Sequence, residues 1–183
     1  MNSVICMLRG VNVGGHNKIK MTELRDLCLS LNLEEARTFI QSGNVVFRTM
    51  NCNRNVLSKC IGDGIEKQFG FRPDVVLRTA DEMRSVIKQN PFASRKDVEP
   101  NKLLIWFLAA EPAAEARAKV LAMPPVPEEL HINKSELYIY FPNGMARPRL
   151  SLPAIGRTLK VPGTGRNWNS VLKMMAMAEE LEV

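Results

Sequence analysis

The sequence predicts an α+β protein of two small α/β-sandwich subdomains. The first is ferredoxin-like (βαββαβ); the second is a partial βαββ repeat followed by C-terminal helices. Three observations carry this expectation. Short β-rich runs alternate with amphipathic stretches up to about residue 90, and hairpin strands interleaved with helices call for a two-layer solution. A polar segment with two prolines, residues 91–101 (PFASRKDVEPN), is then followed by a second set with the same β-α-β-β rhythm. The composition, 45% apolar and 24% charged over 183 residues, is that of a folded globular chain long enough for two such units. The expected divisions are residues 1–90, a linker at 91–101, and residues 102–183.

Residues 4–8 (VICML) are continuously apolar and read as a buried strand ending at Arg9-Gly10. After the loop that follows, Thr22 is expected to cap a helix whose apolar residues Met21, Leu24, Leu27, Cys28 and Leu31 make one stripe. Residues 37–41 and 44–48 are β-rich and separated by Ser42-Gly43, a tight hairpin signal. Val56, Leu57, Cys60, Ile61, Ile65 and Phe69 mark a second helix, weakened by Gly62 and Gly64 and closed by Gly70. Pro73 leads into a strand at 74–78, and Thr79-Ala80-Asp81-Glu82 is a capping box for a helix that Pro91 stops.

In the second half, residues 103–108 (LLIWFL) are the most apolar run and are expected as a central strand. Pro112 opens an alanine-rich helix to about residue 122, and Pro124-Pro125-Val126-Pro127 enforces an extended connection. Residues 129–133 and 136–141 form a second hairpin. Helices near 152–159 and 168–181 take the place of a last strand.

Several function classes are disfavoured. The four cysteines, Cys6, Cys28, Cys52 and Cys60, show no C-x-x-C spacing, and His16 and His131 are the only histidines. Neither a zinc cluster nor a disulfide framework is expected, and no metal or cofactor is assigned. No basic leader precedes the first apolar residues and no apolar run reaches ~18 residues, so a cytoplasmic protein without a membrane partner is the reading. The net charge of +6 is moderate and by itself says little about nucleic acid.

The stretch from Leu8 to Lys20 (LRGVNVGGHNKIK) concentrates glycine, asparagine and basic residues between a strand and a helix. Glycine and asparagine tolerate left-handed backbone angles, and turns built from them present N–H groups to anions. Alternating strand directions place this loop beside the hairpin tip at 41–44, and a third loop, 161–169, runs into the last helix with Asn167 as its N-cap. From Leu137 through Ala178 no acidic residue occurs, while Arg147, Arg149, Arg157, Lys160, Arg166 and Lys173 do. The candidate ligand contacts are Arg9, Asn12, Gly14, Gly15, Lys18 and Lys20, then Gln41, Ser42 and Asn44, then Thr164, Arg166, Asn167 and Asn169.

RGVNVGGHNKIK with MTELRDL after it, FIQSGNVVF, and GRNWNSVLK near the end together resemble the bacterial family called domain of unknown function 1697. The resemblance covers nearly the whole chain. It implies a two-part α+β fold with a ferredoxin-like first part, and it implies no activity. The tail GMARPRLSLPAIGRTLKVPGTGRNWN departs from it at Pro148, where Ser or Lys is expected.

Each motif also has a plain structural reading. Gly10 and Gly15 have Walker-A spacing without the lysine and hydroxyl that hold phosphate and magnesium, and the glycines serve a tight connection equally well. Gln41 and Asn44 suit hairpin backbone groups. Trp168 suits a core anchor, His16 a solvated loop, and Met174, Met175 and Met177 core filling. The central strands carry one aromatic residue, too few for base stacking of the RNA-recognition type. The preferred reading is binding of a small phosphate-bearing, nucleotide-like ligand. Nucleic-acid binding through loops and basic residues is the first alternative. The second is a metal-independent enzyme on a small acidic substrate, with Arg9, Lys18 or Arg166 as electrostatic stabiliser.

Overall fold

The computed structural model describes residues 1–51, 53–124 and 126–182. Cys52, one of the four cysteines, and Pro125, in the proline run, lie outside the described residues, as does Val183. The chain groups into two units, Met1–Ser85 with Leu172–Val183, and Val86–Val171.

The first unit has the expected order β1 (Asn2–Leu8), α1 (Met21–Ser30), β2 (Glu34–Phe39), β3 (Asn44–Thr49), α2 (Arg54–Phe69), β4 (Val75–Thr79), and then α3 (Ala80–Lys88). Its antiparallel sheet runs β2-β3-β1-β4. The most apolar strand of this sheet, β1, is flanked on both sides. Its Val4, Cys6 and Leu8 join Leu24, Leu27 and Cys28 of α1 and Leu57, Ile61 and Ile65 of α2 in one core. Gly64 in α2 gives α1 room: a Cβ there would lie 3.1 Å from a Leu31 methyl and 3.3 Å from one of Leu27. The capping box forms, with Thr79 N–H donating to Glu82 Oε2 at 2.9 Å and Glu82 N–H to Thr79 Oγ1 at 3.2 Å.

Two local expectations are corrected here. Thr22 does not cap α1; the helix begins at Met21 with Lys20 at the cap position and no side chain bonded to its first N–H groups. The cause lies upstream, where Ile19 is buried and its N–H is held by Asn12 Oδ1 at 2.9 Å, which starts the helix early. The hairpin turn spans residues 40–43 rather than two, closed by the pair Phe39↔Asn44. Asn44, fully buried, donates to Phe39 O and Ser42 Oγ and so bridges the wider turn. Gly43, at φ +73°, is pressed under β1: a Cβ would sit 2.9 Å from that of Leu8.

The second unit contains β5 (Leu103–Leu108), α4 (Ala114–Leu121), β6 (Glu129–Asn133), β7 (Glu136–Tyr140), α5 (Leu152–Leu159) and β8 (Gly163–Asn167), with sheet order β6-β7-β5-β8. Between the two expected terminal helices there is thus a strand where a loop was expected. β8 is hard to see in the sequence because its helix-facing positions are glycines. Trp106 of β5, opposite Gly165, fills that space; a Cβ on Gly163 would lie 2.5 Å from Trp106 Nε1 and 2.7 Å from Phe107 O.

Residues 91–101 are not a free linker. Phe92 is buried, meets the His131 ring edge-on at 5.1 Å, and lies under Arg95, which also covers Tyr140 and pairs with Asp97. The last helix α6 (Trp168–Glu179) starts in the second unit, but from Leu172 onward the chain groups with the first. There Met174 and Ala178 are fully buried, Ser3 Oγ donates to Ala178 O at 3.0 Å, and Arg37 reaches Glu180 at 2.9 Å. The division at 90, 101 and 183 expected from the sequence therefore differs at both ends of the second unit.

Candidate functional site

The loop between β1 and α1 is held in one shape by its own side chains. Gly10, Asn12, Gly14, Gly15 and Asn17 all have positive φ, from 51° to 79°, the conformation for which glycine and asparagine are suited. Asn12 acts as a staple: its Nδ2 donates to Ile19 O at 2.9 Å and to Gln41 O at 2.8 Å, while its Oδ1 accepts from Ile19 N–H. Asn17 Nδ2 donates to Gly10 O at 3.1 Å, and Val13 and His16 bridge across the tip.

This shape leaves an open groove of about 730 Å³. Of the sequence candidates, Asn12, Gly15, Lys18, Lys20 and Gln41 line it, joined by Ile19 and residues 21–23. The start of α1 therefore opens into the groove, and no side-chain cap occupies its N–H groups. Such groups carry roughly half a positive charge at a helix start. Lys18 is exposed and makes no ion pair among the described residues, and Lys20 pairs loosely with Glu23 at 3.6 Å. Glu23 was missed from the sequence, where its first-turn position was the available signal.

The other candidates are placed differently. Arg9 is tied to Asp74 through both its backbone and its guanidinium, the latter at 3.3 Å. Gly14 lies outside the groove lining, and Ser42 and Asn44 bond within the hairpin. In the second unit, Thr164 and Arg166 are corrected from loop residues to buried members of β8. Arg166 Nη1 donates to Thr164 Oγ1 at 2.6 Å and to Gly165 O at 2.9 Å, so its guanidinium does not swing over the helix start in solvent. The alternation of the strand turns both side chains inward. Asn167 is the expected cap, its Oδ1 accepting from Asn169 N–H at 3.0 Å, and Asn169 is exposed.

The groove brings together cations and N–H groups without a paired nucleophile and base. Among the described residues no group of three His, Cys, Asp or Glu side chains is placed to hold a metal ion, and no helix is long and apolar enough to cross a membrane. Cys28 is buried on the core face of α1, and burial pushes its thiol up to about 12, which makes it inert as a nucleophile at neutral pH.

An α+β chain of two four-stranded antiparallel sheets, with a stapled glycine loop feeding its first helix, is the class of protein these features define. Residues 1–138 match the family described as "Protein of unknown function (DUF1697)", and the chain belongs to that family. Among solved structures it is similar to the conserved bacterial protein SP0830 from Streptococcus pneumoniae, at 23% identity and a TM-score of 0.73, over 98% of this chain and 99% of that one. That likeness concerns the fold. No curated protein matches the chain.

Proposed function

We propose that the first unit binds a small phosphate-bearing ligand of nucleotide type in the groove at the start of α1. The observation that carries this reading is the uncapped start of α1 opening between Lys18 and Lys20. Backbone N–H groups, a helix dipole and two lysines are what a phosphate group requires. Asn12 keeps the loop rigid, so little ordering cost falls on the ligand. The groove's size suits one nucleotide, and the exposed Lys20–Glu23 contact in its lining, at 3.6 Å, is loose enough to yield to a phosphate. A cytoplasmic location belongs to the same proposal, in keeping with the thiol form of Cys28 and Cys60 among the described residues.

Calorimetric titration with inorganic phosphate and a panel of nucleoside mono-, di- and triphosphates tests the assignment. Binding of at least one of them is expected, weakened about tenfold or more in the double variant Lys18→Gln/Lys20→Gln, as for lost charge-assisted hydrogen bonds worth roughly 1.5–3 kcal/mol. Binding that the double variant leaves unchanged places the ligand elsewhere.

A further inference from the structure

We infer that the second unit carries a separate surface for the phosphate backbone of double-stranded nucleic acid, formed by Arg147, Arg149, Arg157 and Lys160. Arginines elsewhere in the chain are consistently paired. Outside this stretch every exposed or half-exposed arginine holds a carboxylate: Arg37 with Glu180, Arg72 with Asp63, Arg84 with Glu182, Arg95 with Asp97, Arg117 with Glu111, and the remaining ones likewise. Arg147, Arg149 and Arg157 are exposed and have no such partner among the described residues, and the same is true of Lys160.

Glu128 and the acids on and before α4 make no ion pair with them among the described residues. The carboxylate of Glu128 accepts from the backbone N–H groups of Arg149 and Leu150, at 2.8 and 3.2 Å, and leaves the Arg149 guanidinium free. On α4, which packs beside α5, Arg117 pairs with Glu111 of the preceding segment and Lys119 with Glu115. Arg157 and Lys160 at the end of α5 also suit the helix dipole. Arg147 and Arg149 precede the helix, so that effect does not account for them.

Four features select the partner. Arginine presents a planar fork that grips two phosphate oxygens. The four cations fall within fourteen residues of chain, Arg157 in α5 and Lys160 at its C-terminal cap, so one short segment carries enough positive charge for several backbone phosphates. A membrane surface would need an apolar face beside the cations, but Ile155 and Leu159 of α5 are buried in the core of the unit. A single strand would need exposed rings for stacking, but Trp106, Phe107, Tyr138, Tyr140 and Phe141 are buried and Trp168 is half-buried. Binding is therefore expected to be independent of sequence.

Fluorescence anisotropy of the full chain with a labelled mixed-sequence 20-base-pair duplex, at several salt concentrations from about 20 to 200 mM, tests this. The log–log salt slope expected for four contacts on a duplex is roughly −3 to −4, at ~0.9 per phosphate. The triple variant Arg147→Gln/Arg149→Gln/Arg157→Gln should flatten that slope by roughly 2 to 3, with an unaltered melting midpoint showing that it is folded. Lys18→Gln/Lys20→Gln should leave duplex binding unchanged, so the two sites stand or fall separately. Absence of duplex binding at the lowest salt, a slope unaffected by the triple variant, or tighter binding to phosphatidylserine vesicles or to single strands than to the duplex would overturn the inference.

Discussion

Removing the Asn12 side chain should loosen both the loop and the site it shapes. Asn12→Ala deletes three hydrogen bonds, two donated to Ile19 O and Gln41 O and one accepted from Ile19 N–H. Net contributions of about 1 kcal/mol each set the scale. Alanine must also hold a φ of 56° that asparagine tolerates better, while the carbonyl of exposed Gln41 regains water. The expected loss is about 2–4 kcal/mol, or roughly 5–12 °C in melting temperature for a chain of this length. Urea denaturation followed by far-ultraviolet circular dichroism gives the magnitude. Amide hydrogen exchange at Ile19 gives the location, because this buried N–H has Asn12 as its acceptor. Asn12→Asp keeps the acceptor but turns a carboxylate toward two carbonyl oxygens, and should be at least as destabilising at neutral pH. A loss below about 0.5 kcal/mol with unchanged Ile19 exchange would refute the staple, because three intact hydrogen bonds cannot be removed so cheaply.

Two further outcomes follow from packing and burial. Gly163→Ala places a Cβ within 2.8 Å of Trp106 Nε1, Phe107 O and Leu108 Cδ2; overpacking of about 2 kcal/mol or more is expected, read from the urea midpoint by tryptophan fluorescence, and an unchanged midpoint would argue against the close approach. Burial pushes the Cys28 thiol up to about 12, well above its ordinary value near 9, so it stays protonated in the folded state at mildly alkaline pH. Above pH 9 the unfolded chain loses this proton first, so stability falls with rising pH by up to about 1.4 kcal/mol per unit. Urea midpoints at pH 8, 9 and 10 should show that slope and Cys28→Ala should remove its share of it; equal slopes in both proteins would count against a buried thiol.

The strands and helices of the first unit were legible because each is encoded locally. Residues 4–8 are apolar without interruption, α1 and α2 carry stripes at helical spacing, and Thr79 with Glu82 spells out its own cap. The backbone of the glycine loop was legible for the same reason: left-handed angles need glycine or asparagine wherever they occur. Tertiary structure decided the rest. Which asparagine staples and which faces solvent depends on Ile19 and Gln41, distant in sequence from one another. β8 escaped notice because its glycines answer to Trp106, some sixty residues earlier, and a strand whose packing atoms lie on its neighbour shows no alternation of its own. Arg166 read as a solvent-facing cation until that strand turned it inward. The end of α6 groups with the first unit because contiguity in sequence does not determine which core a helix joins; the burial of Met174 and Ala178 and the reach of Arg37 to Glu180 do.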